Sequence, residues 1–444
     1  MTHPRPAPSS NPPDWPHCGH GTTPEDPVGC RGIHVTGHTS CLAHLADADR
    51  DAYLAGLTPG ADIDHRGTPF TEPLLDVLLD ALRDPATGHP NLGDAWFESA
   101  SFKDNARFES ATFRGVAVFG SATFEYARFE SATFQRAAGF QSATFQDDAW
   151  FESATFQGAA WFVSATFQGT AGFKSATFQG TAGFESATFE RDARFESATF
   201  QGAARFEFST FEGGWFDLAA FRGTAVFQSA AFQRDARFES ATFQGDARFE
   251  SATFQGDARF EQVVFERAAS LGPLVCAGRV VLPGAVFSGP VTLSFAARRV
   301  ECRRTRWSST AEVRLRYATV DFADAVFEYP LTIAAEVDPF VLPNGQPVAE
   351  QTLAGAPDGT VRMASLRGVD AAHLVLADVD LSGCLFTGTV HLDQLRLEGT
   401  CSFDKVPPGT HWRRGRPIRS PSAAPSPRNT TGARTSRKRS GAGT

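Results

Sequence analysis

The chain has 444 residues, room for two or three ordinary globular domains, yet it holds 41 Phe against four Tyr and two Met. Such a bias indicates a short unit copied many times. The net charge is −9. The chain has no stretch of eighteen apolar residues, so no membrane span is expected. The N-terminus has no apolar core that could serve as a secretion signal, and a cytoplasmic location is therefore predicted.

Residues 1–46 form a segment rich in cysteine and histidine. Cys41 and His44 are separated by two residues, a spacing that lets both side chains reach one tetrahedral ion, and Cys18 and Cys30 can complete the site. Because this segment has few apolar residues, a structural Zn²⁺ would supply stability that a core cannot. The alternative is a flexible arm of solvated histidines and reduced cysteines.

Residues 47–94 are predicted to form a helical cap. The stretches 47–57 and 71–83 have helical spacing, and Thr71 and Pro73 suit the start of the second helix. A cap is required on physical grounds, since the end of a stacked β-structure exposes unpaired backbone and core. The apolar face of the second helix comprises Leu74, Leu75, Val77, Leu78, Leu79 and Leu82.

Residues 95–270 repeat with a period of eleven. From Phe97 onward, Phe recurs in steps that alternate five and six, with Ala or a close substitute two positions earlier. Two apolar residues separated by one outward residue have the spacing of a β-strand, in which residues two apart point to the same side. The extra residue of each six-step must lie at a corner, where a preceding glycine is expected to adopt a positive φ. These glycines are Gly158, Gly169, Gly180, Gly202, Gly245 and Gly256.

This pattern resembles the pentapeptide-repeat family, whose signature is a small residue, a variable one, then Leu or Phe at the centre of each five. The resemblance implies a mainly β fold, a right-handed quadrilateral β-helix (β-solenoid) with four faces per coil. Alternating fives and sixes then give 22 residues per coil, about eight coils, and a rod roughly 38 Å long.

The repeat weakens after residue 270. Residues 271–337 are predicted to continue as an irregular β-solenoid, and the Pro- and Gly-rich residues 338–362 to leave it as an excursion loop. Regular fives return in residues 363–406, where Val379-Asp380-Leu381-Ser382-Gly383 is close to the family's typical unit. Residues 407–444 are predicted to be a disordered basic tail, because nine Arg or Lys and no Asp or Glu follow Lys405.

The outward residues of the rod form ladders. Two opposite faces carry Thr, as at Thr144 and Thr155, which β-propensity alone would explain. A third face carries Glu preceded two positions earlier by Arg, so that charges nearly cancel. Some members of this family bind DNA gyrase by imitating DNA, which requires a continuous negative surface. The near cancellation of Glu and Arg charges disfavours that function here.

The sequence therefore predicts a non-catalytic β-solenoid scaffold for a protein partner. It holds no nucleophile elbow and no phosphate-binding glycine loop, and the repeat lacks histidine, so no enzyme activity is expected. Two alternatives are a DNA-mimicking binder of DNA gyrase and a nucleic-acid binder that uses the basic tail.

Overall fold

The structure is a computed structural model that describes residues 11–267, 269–342, 344–353 and 359–404, together with the backbone of 410–413 and 416–419. The chain divides into two units, residues 1–402 and 403–444. In the second unit, strands Thr410–Arg413 and Arg416–Arg419 pair antiparallel. The rest of the predicted basic tail lies outside the described residues.

The first unit is a β-solenoid of parallel strands, as the repeat predicts, and it has the four sides that the family resemblance implies. Successive strands turn through four faces, here called A, B, C and D, and each strand pairs with the strand about 22 residues later. In one coil, face A is represented by Ala160, face B by Thr166, face C by Ala171 and face D by Thr177. Their partners in the next coil are Ala182, Thr188, Ala193 and Thr199, respectively.

The strands are short where the repeat is regular. Face A consists of Ile63–Asp64, Ala95–Trp96, Ala117–Val118, Ala138–Gly139, Ala160–Trp161, Ala182–Gly183, Ala204–Arg205, Ala225–Val226, Ala247–Arg248, Leu331–Ala335, Leu374–Ala377 and Arg396–Glu398. Face B contains Pro69–Phe70, Thr144–Phe145, Thr166–Phe167, Ala231–Phe232 and Thr253–Phe254. Face C contains Ala149–Trp150, Ala171–Gly172, Ala236–Arg237, Ala258–Arg259, Thr319–Asp321 and Arg362–Ser365.

Other strands run through corners or form face D. Four strands continue from face B into face C: Ser101–Arg107, Thr123–Arg128, Thr188–Arg194 and Thr210–Trp215. Three longer strands begin on face A and continue past it: Ala269–Val281, Val291–Glu301 and Ala311–Arg316. Face D is a twelve-stranded sheet of Asn91–Leu92, Thr112–Phe113, Thr133–Phe134, Thr155–Phe156, Thr177–Phe178, Thr199–Phe200, Ala220–Phe221, Thr242–Phe243, Val264–Phe265, Val286–Phe287, Arg306–Trp307 and Val326–Phe327.

Stacked phenylalanine rings fill the rod. Phe134, Phe156 and Phe178 follow one another on face D with centroid separations of 4.7 and 4.9 Å and nearly parallel planes. Rings from different faces meet edge to face, as Phe156 and Phe162 do at 81°. Burying each ring contributes about 1.5–3 kcal/mol to the stability of the fold. The stacked rings therefore give the narrow rod a continuous apolar core.

The left-handed corner residue is serine, and the expectation of positive φ at the six glycines is wrong. In Phe173-Lys174-Ser175-Ala176, Ser175 has φ 57° and Ala176 N–H donates to the Phe173 carbonyl, which makes a type II turn. The glycines at the six-step corners are absent from the positive-φ positions. A Cβ at Gly169 would lie 2.3 Å from the carbonyl carbon of Asp147, so glycine is needed there because consecutive coils approach closely.

Both predicted helices are present at the N-terminal end: α1 is Asp47–Ala55 and α2 is Glu72–Ala81. Thr71 occupies the N-cap of α2, but its side chain makes no capping hydrogen bond. The solenoid already begins at Ile63, inside the segment expected to be only a cap, because Ile63–Asp64 pairs with Ala95–Trp96. Helix α2 lies in sequence between the first strands of faces B and D, where a face C strand would otherwise occur.

The excursion after Leu331–Ala335 packs back onto the rod. Phe340, Val348 and Leu353 form a second apolar cluster with Val275 and Ala296, which lie on face B. Short 3₁₀ turns occupy Leu42–His44, Gln351–Leu353 and Ala371–His373. None of the helices among the described residues has the length and apolarity required to cross a bilayer.

Candidate functional site

The structure brings together the four residues that the sequence suggested as metal ligands. The ligand atoms of Cys18, Cys30, Cys41 and His44 all lie within 4.8 Å of one another. His44 Nδ1 is 3.5 Å from Cys18 Sγ and 3.3 Å from Cys41 Sγ, and the Sγ atoms of Cys30 and Cys41 are 3.7 Å apart. Zinc bonds of about 2.3 Å to sulfur and 2.0–2.1 Å to nitrogen imply tetrahedral edges of roughly 3.6–3.8 Å. These three contacts are close to such edges, and the remaining pairs of ligand atoms lie within 4.8 Å.

The electrostatics of the cluster favour thiolate character at one cysteine. The hydrogen bond between the thiols of Cys41 and Cys30 lowers the pKa of Cys30 to about 5, against the opposing effect of burial. The same contact, together with burial, raises the pKa of Cys41. One thiol of the pair therefore ionises more readily than the other, and a cation placed between the sulfurs would favour ionisation of both.

Two local structures position these side chains. Cys18 and Cys30 lie on facing segments, where Cys18 N–H donates to the Gly32 carbonyl and Gly19 N–H donates to the Cys30 carbonyl. Cys41 precedes the 3₁₀ turn Leu42–His44, so His44 projects to the same side three residues later. A Cβ at Gly32 would lie 2.6 Å from the Cβ of Cys41, so only glycine permits this close approach.

The cluster is attached to the first coils of the solenoid. Leu42 is buried and, with Val35 and Leu45, belongs to the same apolar core as the phenylalanine stack. On the surface, the guanidinium of Arg66 lies 5.1 Å from the ring centre of Trp15 and 5.5 Å from that of Trp96. The Cys/His segment therefore closes the N-terminal end of the rod together with the helices. Sequence reasoning missed the Trp15, Arg66 and Trp96 stack, because these residues are distant in sequence and outside the repeat.

In the regular coils, the central outward residues of faces B and D form ladders of threonine. Thr155 and Thr177 on face D are directly paired, as are Thr144 and Thr166 on face B. Each is half-buried and points outward between an inward Ala and an inward Phe. The excursion covers part of face B, where the nearly buried Arg316 donates from Nε to Glu350 Oε2 at 3.0 Å.

Faces A and C carry ion pairs rather than a continuous negative surface. On face C, Arg128 Nε lies 3.0 Å from Glu109 and its NH2 lies 3.1 Å from Glu130. On face A, Arg205 contacts both Glu185 and Glu207, at 3.0 and 3.4 Å. This pairing agrees with the cancellation expected from the sequence and gives no support to DNA mimicry.

Comparison with known proteins identifies the repeat. The family model described as "Pentapeptide repeats (9 copies)" matches residues 97–144, 127–166, 162–210, 209–251 and 227–272. Neither the curated proteins nor the solved structures include a significant match to this chain.

Proposed function

We propose that this chain, which belongs to the pentapeptide-repeat family, is a non-catalytic scaffold that holds a protein partner on face D. The observation that carries the proposal is the unbroken run of twelve paired strands on that face. With strands about 4.8 Å apart, the face is roughly 50 Å long. Its core-facing rings are fully buried and stacked, so the surface is preorganised and little conformational entropy is lost on binding.

Face D is favoured over the similar face B because the excursion occupies part of face B. Four successive coils of face D carry an outward threonine followed, after the phenylalanine, by glutamine, as in Thr155-Phe156-Gln157. These threonines are Thr133, Thr155, Thr177 and Thr199. The Thr and Gln side chains of these coils offer hydroxyl and amide hydrogen bonds. A partner that binds them does not have to desolvate the charged groups that line faces A and C. A protein surface with complementary polar groups is the fitting partner.

The experiment compares matched arginine variants of the full chain. Thr133, Thr155 and Thr177 on face D are replaced by Arg in one variant, and Thr144, Thr166 and Thr188 on face B in the other. Proteins captured from the native cytoplasm are identified and their binding is measured with purified components. We expect a saturable partner whose binding is lost in the face D variant and kept in the face B variant. Equal binding by both variants and the unmodified chain would contradict the proposal.

We further propose that Cys18, Cys30, Cys41 and His44 bind one structural Zn²⁺. The support is that three sulfurs and one nitrogen, the donor set of many structural zinc sites, converge within 4.8 Å of one another. The ion would cross-link the Cys/His segment to itself next to the first coil, and so stabilise the end of the rod. The seven cysteines form no disulfide among themselves, and free thiols persist in a reducing compartment such as the cytoplasm, which supports a cytoplasmic location.

Metal analysis of protein purified without a histidine tag tests this site. We expect about one Zn²⁺ per chain, lost in Cys41→Ser and kept in Cys276→Ala. Cys276 is a suitable control because it is buried in the solenoid, outside the cluster. A folded native protein without metal, whose melting does not change when zinc is added, would refute the assignment.

A further inference from the structure

A shallow groove of about 400 Å³ lies on face C, away from the metal cluster and from face D. Along this face, the outward residues of successive coils are Arg128, Trp150, Gly172 and Arg194, each paired with the next. Gly172 has no side chain, so the space in the row between Trp150 and Arg194 is open to the ring of Trp150. The groove is lined by Asn105, Tyr126, Arg128, Glu130, Trp150, Glu152 and Arg194.

Trp150 provides an aromatic platform in this groove. Its six-membered ring lies against Gly172, where a Cβ would be 2.4 Å from Cε3, so glycine is what lets the ring lie over the next coil. Trp215, two coils beyond Gly172 on the same face, differs because the guanidiniums of Arg194 and Arg237 stack on it at 4.9 and 5.5 Å. The cation–π contacts of the described residues do not include Trp150.

The charges around the platform are balanced. Arg128 pairs with Glu130 at 3.1 Å, and the lining contains two Arg and two Glu in all. A strongly charged ligand of either sign would therefore meet a repelling group as well as an attracting one. Glu152 takes part in none of the ion pairs of the described residues, so its carboxylate is free to accept hydrogen bonds from a ligand.

We propose that this groove binds a neutral carbohydrate. A sugar ring has an apolar face of C–H groups and a rim of hydroxyls, which matches one aromatic platform surrounded by hydrogen-bonding side chains. The apolar face stacks on Trp150, while hydroxyls donate to Glu152 and accept from Asn105 and Arg194. The long, open shape of face C suits an oligosaccharide better than an enclosed monosaccharide.

The test titrates the full chain with soluble hexasaccharides of glucose, N-acetylglucosamine, mannose and xylose, followed by calorimetry and by tryptophan fluorescence. We expect at least one sugar to bind saturably, and Trp150→Ala to weaken that binding at least tenfold. Trp161→Ala is the matched control, because Trp161 lies against Gly183 on the opposite face A in the same way. Glu152→Gln, which keeps the shape of the side chain, is expected to weaken binding severalfold.

Thermal melting of each variant separates loss of binding from loss of folding, and Trp150→Ala and Trp161→Ala are expected to melt alike. Absence of saturable binding by the unmodified chain to every sugar at about 10 mM would overturn the proposal. Equal loss in the Trp150 and Trp161 variants would also overturn it. Decaproline is included because aromatic grooves also bind proline-rich peptides, and Trp150-dependent binding of decaproline without any sugar binding would reassign the groove. These outcomes do not depend on face D.

Discussion

The backbone N–H of Thr170 donates a 2.8 Å hydrogen bond to Oδ1 of Asp148, which occupies the same corner one coil earlier. The relationship recurs where Asp257 N–H donates to Asp235 and Arg279 N–H donates to Asp257, each at 2.8 Å. Aspartate at the inserted position thus links consecutive coils at a corner. In the sequence, the neighbouring carboxylates Asp147 and Asp148 resemble only a solvated turn.

Replacing Asp148 by Ala should lower the free energy of unfolding by about 1–2 kcal/mol, because the N–H of Thr170 loses a charged acceptor. Asp147→Ala is the control, since Asp147 is exposed and should cost under about 0.5 kcal/mol. Urea denaturation of both variants measures the difference. Equal costs would mean that the carboxylate does not stabilise the corner.

Phe178→Ala should lower the free energy of unfolding by about 3–5 kcal/mol. The ring is fully buried and lies 4.9 Å from both Phe156 and Phe200, so its removal leaves a cavity in the stack. Gln179→Ala, one position on and exposed, should cost under about 0.5 kcal/mol. Denaturant melts that gave both variants the same midpoint would contradict the assignment of the inward row.

Gly169→Ala and Gly169→Asn should both destabilise the rod by about 1–3 kcal/mol, because any Cβ meets the backbone of Asp147. If Gly169 were needed for a positive φ instead, Asn would be the milder change, because Asn tolerates positive φ better than Ala does. Ser175→Gly should change stability by under about 0.5 kcal/mol, since Ser175 already has φ 57°. Thermal melting of the three variants shows whether glycine is required at this corner because a Cβ would overlap the preceding coil or because the backbone has a positive φ.

His65 should make the N-terminal end sensitive to acid. Burial lowers the pKa of His65 from 6.5 to about 4, although nearby Asp64 acts in the opposite direction. Below pH 6.5 the unfolded chain takes up a proton that the folded chain rejects, so this stability is complete above pH 6.5 and is lost as the pH falls toward 4. The total is about 3 kcal/mol.

The variant His65→Phe removes this titration while keeping an aromatic ring near Tyr53, whose hydroxyl is 3.2 Å from His65 Nε2. The unfolding free energy of the unmodified chain minus that of His65→Phe should decrease as the pH falls from 6.5 to 4, because only the unmodified chain loses stability through His65. A difference that stayed constant over this range would show that His65 is not protonated on unfolding.

Much of the fold follows from local pattern. Residues two apart, such as Ala176 and Phe178, must point to the same side of a strand, and the eleven-residue period leaves only a stacked coil in which that side is the core. The spacing of Cys41 and His44 likewise identifies a ligand pair, because a short turn fixes where both side chains point. These features are encoded in neighbouring residues and need no knowledge of distant contacts.

By itself, then, the sequence determined the solenoid, its inward phenylalanines and the candidate metal ligands. Only the tertiary structure decided which residues meet across coils: that Ser175 and not Gly169 turns left-handed, that Thr170 bonds to Asp148, and that Trp150 lies over Gly172. The physical reason is that these relationships depend on the separation and rotation of successive coils. The repeat fixes which residues are neighbours, but the packed backbone fixes how closely they approach.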